Sequence, residues 1–176
     1  MKFNALVFLL GLLLGAAPVH ADKTAGQIVD DSTIQAEVKA KLVGDDFFGG
    51  LNINIETRKG VVQLGGFIED AAAGSKAASL AETVNGVVAV DNQLHLKEGK
   101  ASVGQVVDDR VISTTVKGKL ANSGLGTGIK VNVDTYNGVV LLTGFVDSAD
   151  TKTKAGDLAG GTDNVRKVIN GIYVLD

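Results

Sequence analysis

A chain of 176 residues with no cysteine and only two histidines has few groups able to do covalent or metal chemistry. Nucleophilic catalysis needs an activated nucleophile beside a base, acid–base catalysis needs a poised pair, and a metal needs converging ligands. His20 falls in an N-terminal leader, which leaves His95 as the one imidazole to consider. It stands between Leu94 and Leu96 in an alternating run, and Tyr173 takes its place in the second half of the chain, so it reads as a sheet-surface residue rather than a catalytic one. The pairs Asp30-Asp31 and Asp108-Asp109 have the composition of acid–base or metal carboxylates, since neighbouring acids perturb each other's pKa. Each pair precedes an apolar-periodic run, the position of a helix N-cap, and capping is the simpler reading. Gly124-Leu125-Gly126-Thr127-Gly128 has the glycines of a phosphate loop, but it follows a helix and precedes a strand and lacks the Lys-Ser or Lys-Thr that would complete one, so it reads as a flexible connection. This inventory predicts a non-enzymatic protein with no cofactor, no metal and no small-molecule substrate.

The elements that carry these residues are written twice. Residues 24–98 align without a gap on 102–176, with 27 identities in 75 pairs. Gly26-Gln27-Ile28-Val29-Asp30-Asp31 matches Gly104-Gln105-Val106-Val107-Asp108-Asp109, and Gly60-Val61-Val62-Gln63-Leu64-Gly65-Gly66-Phe67 matches Gly138-Val139-Val140-Leu141-Leu142-Thr143-Gly144-Phe145. The period of 78 residues is that of a small domain rather than a solenoid repeat. Lys97-Glu98-Gly99-Lys100-Ala101-Ser102, charged and small, is the expected exposed linker.

In each copy Ile34, Val38 and Leu42, or Ile112, Val116 and Leu120, recur every four residues and predict a first helix with one buried stripe. Leu51, Ile53 and Ile55, or Ile129, Val131 and Val133, alternate as a strand. Lys59-Gly60 and Asn137-Gly138 then make a hairpin turn before the returning strands Val61–Ile68 and Val139–Val146. Ala77, Leu80, Ala81 and Val84, matched by Ala155, Leu158 and Ala159, predict a second helix starting near Asp70 or Ser148. Gly156, Gly160 and Gly161 predict that its second copy is short or frayed, since each interior glycine costs about 0.8–1 kcal/mol relative to Ala. Val90, Asn92, Leu94 and Leu96, echoed by Val168, Asn170, Ile172 and Val174, close each copy with a third strand. The expected fold class is α+β: two tandem domains, each α-β-β-α-β, with a three-stranded mixed sheet and two helices on one face.

Lys2 followed by the apolar run Leu6–Leu14 and by Val19-His20-Ala21 is the pattern of a secretory signal peptide cut after Ala21. The expected domains are therefore a signal peptide at 1–21, a first domain at 22–98 and a second at 99–176, in a soluble periplasmic protein. The exported chain carries 16 basic and 20 acidic residues, a net charge of −4, and no Trp, which argues against nucleic acid as a partner. The charge is uneven: residues 22–98 carry 7 basic and 12 acidic residues, and 99–176 carry 9 and 8.

The doubled hairpin motif, the Asp-Asp openings and the export signal together resemble the BON (bacterial OsmY and nodulation) domain family. The resemblance covers nearly the whole exported chain. It implies a protein of envelope and osmotic-stress protection whose domains bind phospholipid membrane surfaces, or a stress chaperone that holds exposed apolar segments of unfolded client proteins. Family glycines carry over onto Gly60, Gly66, Gly138 and Gly144, with a structural duty in turns or close backbone approach.

Anionic phospholipid, if it is bound, is electrostatically favoured at the second domain. On that domain's first helix Arg110 and Lys117 fall within about 20° of each other on one side of the Ile112-Val116-Leu120 stripe, and Lys119 falls at its other edge. Lys41, the counterpart of Lys119, has Glu37 four residues before it, whereas Lys119 has Thr115 and is expected to be left free. Arg110, Lys117 and Lys119 are the expected headgroup contacts.

Overall fold

A computed structural model describes residues 29–45, 48, 51–125 and 130–175. The expected signal peptide, and Gly126 to Gly128 of the glycine-rich connection, lie outside the described residues. The first copy runs α1 (Asp31–Val43), β1 (Asn54–Arg58), β2 (Val61–Ile68), α2 (Ala71–Glu82) and β3 (Ala89–Leu96). The second runs α3 (Val103–Asn122), β4 (Lys130–Tyr136), β5 (Val139–Val146), α4 (Ala149–Gly160), β6 (Lys167–Asn170) and β7 (Tyr173–Val174). In each copy the hairpin strands pair antiparallel, and the returning strand pairs parallel with the last strand, which makes the sheets mixed, as expected.

Even-numbered residues of β2 and β5 face the helices. Val62, Leu64 and Ile68 meet Ile34, Val38 and Leu42 of α1 and Ala77 and Ala81 of α2. Val140, Leu142 and Val146 meet Ile112 and Val116 of α3 and Ala155 and Ala159 of α4. Asn92 and its counterpart Asn170 tie strand to helix in the same way, donating to the carbonyls of Gly74 and Lys152.

Four boundaries differ from expectation. Helix α3 starts at Val103, six residues before Asp109, because Ser102 and Gln105 form a capping box that satisfies both the Gln105 and the Ser102 N–H groups. Helix α4 is neither short nor frayed: it has 12 residues, as α2 has. A Cβ on Gly156 would stand 2.7 Å from Asn170 Nδ2, so this glycine lets the Asn170 side chain pack against α4 and reach the Lys152 carbonyl, while Gly160 and Gly161 sit at the helix end. In copy one, Leu51 and Ile53 pack against the core but precede the ladder, which begins at Asn54. The last strand of copy two breaks at Gly171, whose Cβ would stand 2.7 Å from Gln93 Oε1 of the first copy.

That contact belongs to an interface between the copies. Odd-numbered residues of β2 and β5 turn away from the helices, and they too are buried: Gln63 is 1% exposed, Leu141 0% and Thr143 1%. The two sheets therefore stack on one another, giving helix, sheet, sheet and helix layers. The packing is two-fold. Asn54 donates to Asp134 and Asn132 donates to Glu56, and 54 and 132, like 56 and 134, are equivalent positions 78 residues apart. The Cβ that Gly65 lacks would overlap the side chain of Thr143, its own equivalent, and Gln93 covers Gly171, its own equivalent. This is the reciprocity of a two-fold homodimer interface built inside one chain. Lys130–Glu56 (2.8 Å) and Arg58–Asp147 (2.7 Å) ion pairs lie at its margins.

Candidate functional site

Helix α3 is the element on which the two copies differ most. Its inner face carries Asp109, Ile112 and Val116. At 100° per residue the opposite face carries Val103, Val107 and Val111, then Thr114 and Gly118. Those valines are 85%, 56% and 60% exposed, and Val106 beside them is 42% exposed. Four of the seven large exposed apolar side chains of the described residues thus sit on the first half of one helix.

Arg110 and Lys117 are both exposed and flank this stripe on one side. They line one shallow cleft with Val106, Ser113, Thr114 and Tyr136. Lys117 also acts on Asp134, whose carboxyl is pushed up by burial against the opposing pull of the Lys117 charge and of the Asn54 hydrogen bond. Lys119 stands apart. Its Nζ donates to Gly161 O at 2.7 Å, so the expectation of a free Lys119 is corrected: a carbonyl at the C-terminal end of α4 holds it, much as Thr83 Oγ1 holds Lys41 at 2.9 Å.

The aspartate pairs divide their labour differently from the expectation. Asp30 caps α1 by accepting from Thr33 N. Asp108 and Asp109 lie inside α3 and cap nothing. Asp109 instead accepts from Asn137 N (2.7 Å) and Gly138 N (2.8 Å), and Asp31 accepts from Lys59 N and Gly60 N (both 2.8 Å). A carboxylate from the first helix therefore clasps the hairpin turn in each domain. Those turns have φ 52° and 75° at Lys59 and Gly60, and 54° and 75° at Asn137 and Gly138, the two positive values of a type I′ turn. Gly66 and Gly144 serve the close approach: a Cβ there would meet Asn52 O at 2.6 Å and would overlap Lys130 O.

His95 lies on the inner face of its sheet, paired with Phe67, and the second domain covers it. It borders an interdomain cleft of about 310 Å³ together with Tyr136, Arg166 and Lys167. Burial first, and the Lys167 charge second, hold the imidazole below its ordinary pKa. Its Nε2 is buried without a hydrogen-bond partner among the described residues. Residue type does not single out Gln63, yet it is the polar centre of the interface. Its amide donates to Asp91 Oδ2 (2.6 Å) and Gly171 O (2.8 Å) and accepts from Gly144 N. The signal available for it is the apolar run around it, Val61-Val62-Gln63-Leu64, which marks a strand buried on both faces.

Comparison with known proteins places this architecture. The BON domain family matches residues 30–98 and again 108–176. Osmotically-inducible protein Y of Escherichia coli K12 is 36% identical over 148 residues, 84% of this chain and 74% of that protein. Outer membrane lipoprotein DolP of Haemophilus influenzae is 31% identical over 163 residues, covering 92% and 83% of the two chains. The 21 kDa hemolysin of Actinobacillus pleuropneumoniae is 32% identical over 151 residues, covering 84% and 77%. With two matched copies and a relative at 36% identity that spans most of both proteins, the chain belongs to the BON domain family.

Proposed function

We propose that this is a non-enzymatic envelope protein of osmotic stress, exported to the periplasm, whose second domain docks peripherally on anionic phospholipid surfaces through the outward face of α3. The observation that carries the reading is the exposed Val103-Val107-Val111 stripe beside Arg110 and Lys117. Apolar side chains enter the acyl boundary while the cations meet phosphate, the arrangement of an interfacial amphipathic helix. Each basic residue near such a surface contributes about 1 kcal/mol, and four valines supply the apolar term that two or three cations lack. Lys119, tied to Gly161, adds its charge from the far flank and is the weakest of the three contacts. Among the described residues no helix is long and apolar enough to cross a membrane, which is compatible with a peripheral mode. The names of the relatives, one osmotically inducible and one an outer membrane lipoprotein, support a role in the envelope and in osmotic stress.

Flotation on vesicles with and without anionic lipid, at low and high salt, tests the reading. Wild type floats with anionic vesicles at low salt, and Arg110→Glu/Lys117→Glu/Lys119→Glu and Val107→Asp/Val111→Asp each lose most of that binding while remaining folded by circular dichroism, the triple variant with a lower melting point because it gives up the Lys119 bond to Gly161 O and the Lys117 charge beside Asp134. Unchanged flotation of both folded variants refutes it. The same valines suit an apolar segment of an unfolded client protein, and that second reading predicts suppression of client aggregation without lipid and with little salt dependence.

A further inference from the structure

The duplication lets one domain serve as a template for the other. In the first domain Phe48 is 5% exposed and closes the end of the core between α1 and α2. Lys76 of α2 lies over its ring, 5.7 Å from the centroid, and pairs with Asp45 at 2.8 Å. Asp45 and Phe48, three positions apart, are thus held as an acid and an aromatic ring by one lysine.

The second domain keeps the receiving half of this arrangement and lacks the inserted half in its sequence. Lys154 is the equivalent of Lys76 and Leu158 of Leu80, but Ser123 replaces Asp45 and the Phe48 position is Gly126. Ser123, Lys154 and Leu158, the equivalents of Asp45, Lys76 and Leu80, line a cleft of about 770 Å³, walled by Leu125 and Leu158 and rimmed by Lys119, Lys154 and Asp157. Leu125, the equivalent of Phe47 in the sequence, already packs on the second core and forms wall rather than filling. Among the described residues no carboxylate is within ion-pair distance of Lys154.

We infer that this cleft, at the C-terminal ends of α3 and α4, binds an acidic-aromatic peptide segment of a partner protein, inserting a Phe side chain between Leu125 and Leu158 and placing an acidic residue on Lys154. The occupant is the one the first domain supplies to itself: an acid three positions before a phenylalanine. Asp157, where the first domain has Ser79, opposes the incoming acid, which sets this site for weak and reversible binding. The cleft lies on a different face from the valine stripe and shares only Lys119 with the proposed headgroup contacts, so Lys154 and Asp157 variants test it without touching the lipid-binding reading.

The probe is a synthetic peptide of residues 42–51, Leu-Val-Gly-Asp-Asp-Phe-Phe-Gly-Gly-Leu, titrated into the isotope-labelled full protein and followed by NMR. The expected result is saturable shifts at Leu125, Lys154 and Leu158 and none at Val103 to Val111. An exposed charge contact changes affinity by a factor of about two to five. Lys154→Glu should therefore weaken binding by that factor and Asp157→Asn should strengthen it, and a Lys-Lys-Phe-Phe peptide should prefer Lys154→Glu to wild type. Both residues are exposed, so neither variant threatens the fold. Equal binding by an Asp-Asp-Ala-Ala peptide, shifts confined to other surfaces, or no saturation at millimolar peptide would overturn the inference.

Discussion

Single side chains decide whether each hairpin stays on its helix. The Asp109 carboxylate is 7% exposed and both its oxygens accept from the Asn137-Gly138 turn, bonds of the charge-assisted kind that contribute about 1.5–3 kcal/mol each to a charged group. Asp109→Ala leaves two turn amides without their acceptor, and a loss of about 2–4 kcal/mol is expected in urea melts. Asp108→Ala, one residue earlier on the exposed side of α3, should cost less than about 0.5 kcal/mol. His95 makes stability depend on pH in a definite direction. Its folded pKa lies below the unfolded value of about 6.5, so between those two values the unfolded chain binds more protons and stability rises with pH. On acidification the loss therefore begins near pH 6.5 and is complete below the folded pKa. His95→Tyr, which installs the residue of the equivalent position 173, should flatten that part of the stability profile below about pH 6.5. An unchanged slope would show that the imidazole does not couple to folding.

The elements show how far periodicity reads and where it stops. Helix stripes, alternating strands and the Asn-Gly turn are legible because each is a local pattern repeated in two copies. The start of α3 is not legible from Asp108-Asp109, because an aspartate before an apolar run fits a cap as well as it fits an inward-facing clasp; the deciding signal is Ser102-Val103-Gly104-Gln105, a capping-box spacing inside what reads as linker. The glycines of α4 mislead for a related reason: propensity counts the cost of a glycine in solvent, and at Gly156 tertiary contact with Asn170 overrides it. Helical spacing already sets Lys119 at the other edge of the core stripe from Arg110 and Lys117, but its hydrogen bond to the carbonyl of Gly161 is a tertiary contact that no local pattern marks. The extra turn and a half of α3 covers no core, so its residues are free to serve a surface. Ser102→Ala should lower stability by about 1 kcal/mol or less and raise amide exchange over Val103–Val107, since it frays the extension alone. If it instead weakens vesicle flotation as much as Val107→Asp/Val111→Asp does, then the extension must be preformed in order to dock.

At the scale of the whole molecule the two domains behave as a dimer that never dissociates. Each sheet has one face on its own helices and the other on its partner copy, so neither domain has a complete second surface alone. The interface buries Leu141, Thr143, Phe145 and Val61, and three polar sets are matched across the two-fold, Asn54 with Asp134, Asn132 with Glu56, and the Gln63 amide with Gly144 and Gly171, while Thr143 Oγ1 and His95 Nε2 are buried without a hydrogen-bond partner among the described residues. A domain of about 70 residues is marginal by size, and one with an uncovered apolar sheet face is more so. The sequence suggests tandem independent units because the repeat and its linker are what a one-dimensional reading can see, while a two-fold relation between copies leaves no local mark except strands apolar on both sides. Fragments 22–98 and 99–176 expressed alone should therefore melt well below the intact chain and present apolar surface to a hydrophobic dye. Mixed at equal concentration, they should recombine and recover most of the lost stability, because the covalent link itself contributes effective concentration, and the contacts of Lys97, Glu98 and Gly99 with Tyr136 and Asn137 do not need it. Gln63→Leu tests the same interface within the intact chain. It leaves the Gly144 N–H and Gly171 carbonyl buried without partners, at about 1–3 kcal/mol each, and it should reduce recombination of the fragments while leaving the melting of isolated 22–98 nearly unchanged, since in that fragment position 63 faces solvent. Fragments that melt like the intact chain, or a Gln63→Leu effect equally large in the isolated fragment, would mean that the stacked sheets do not hold the molecule together.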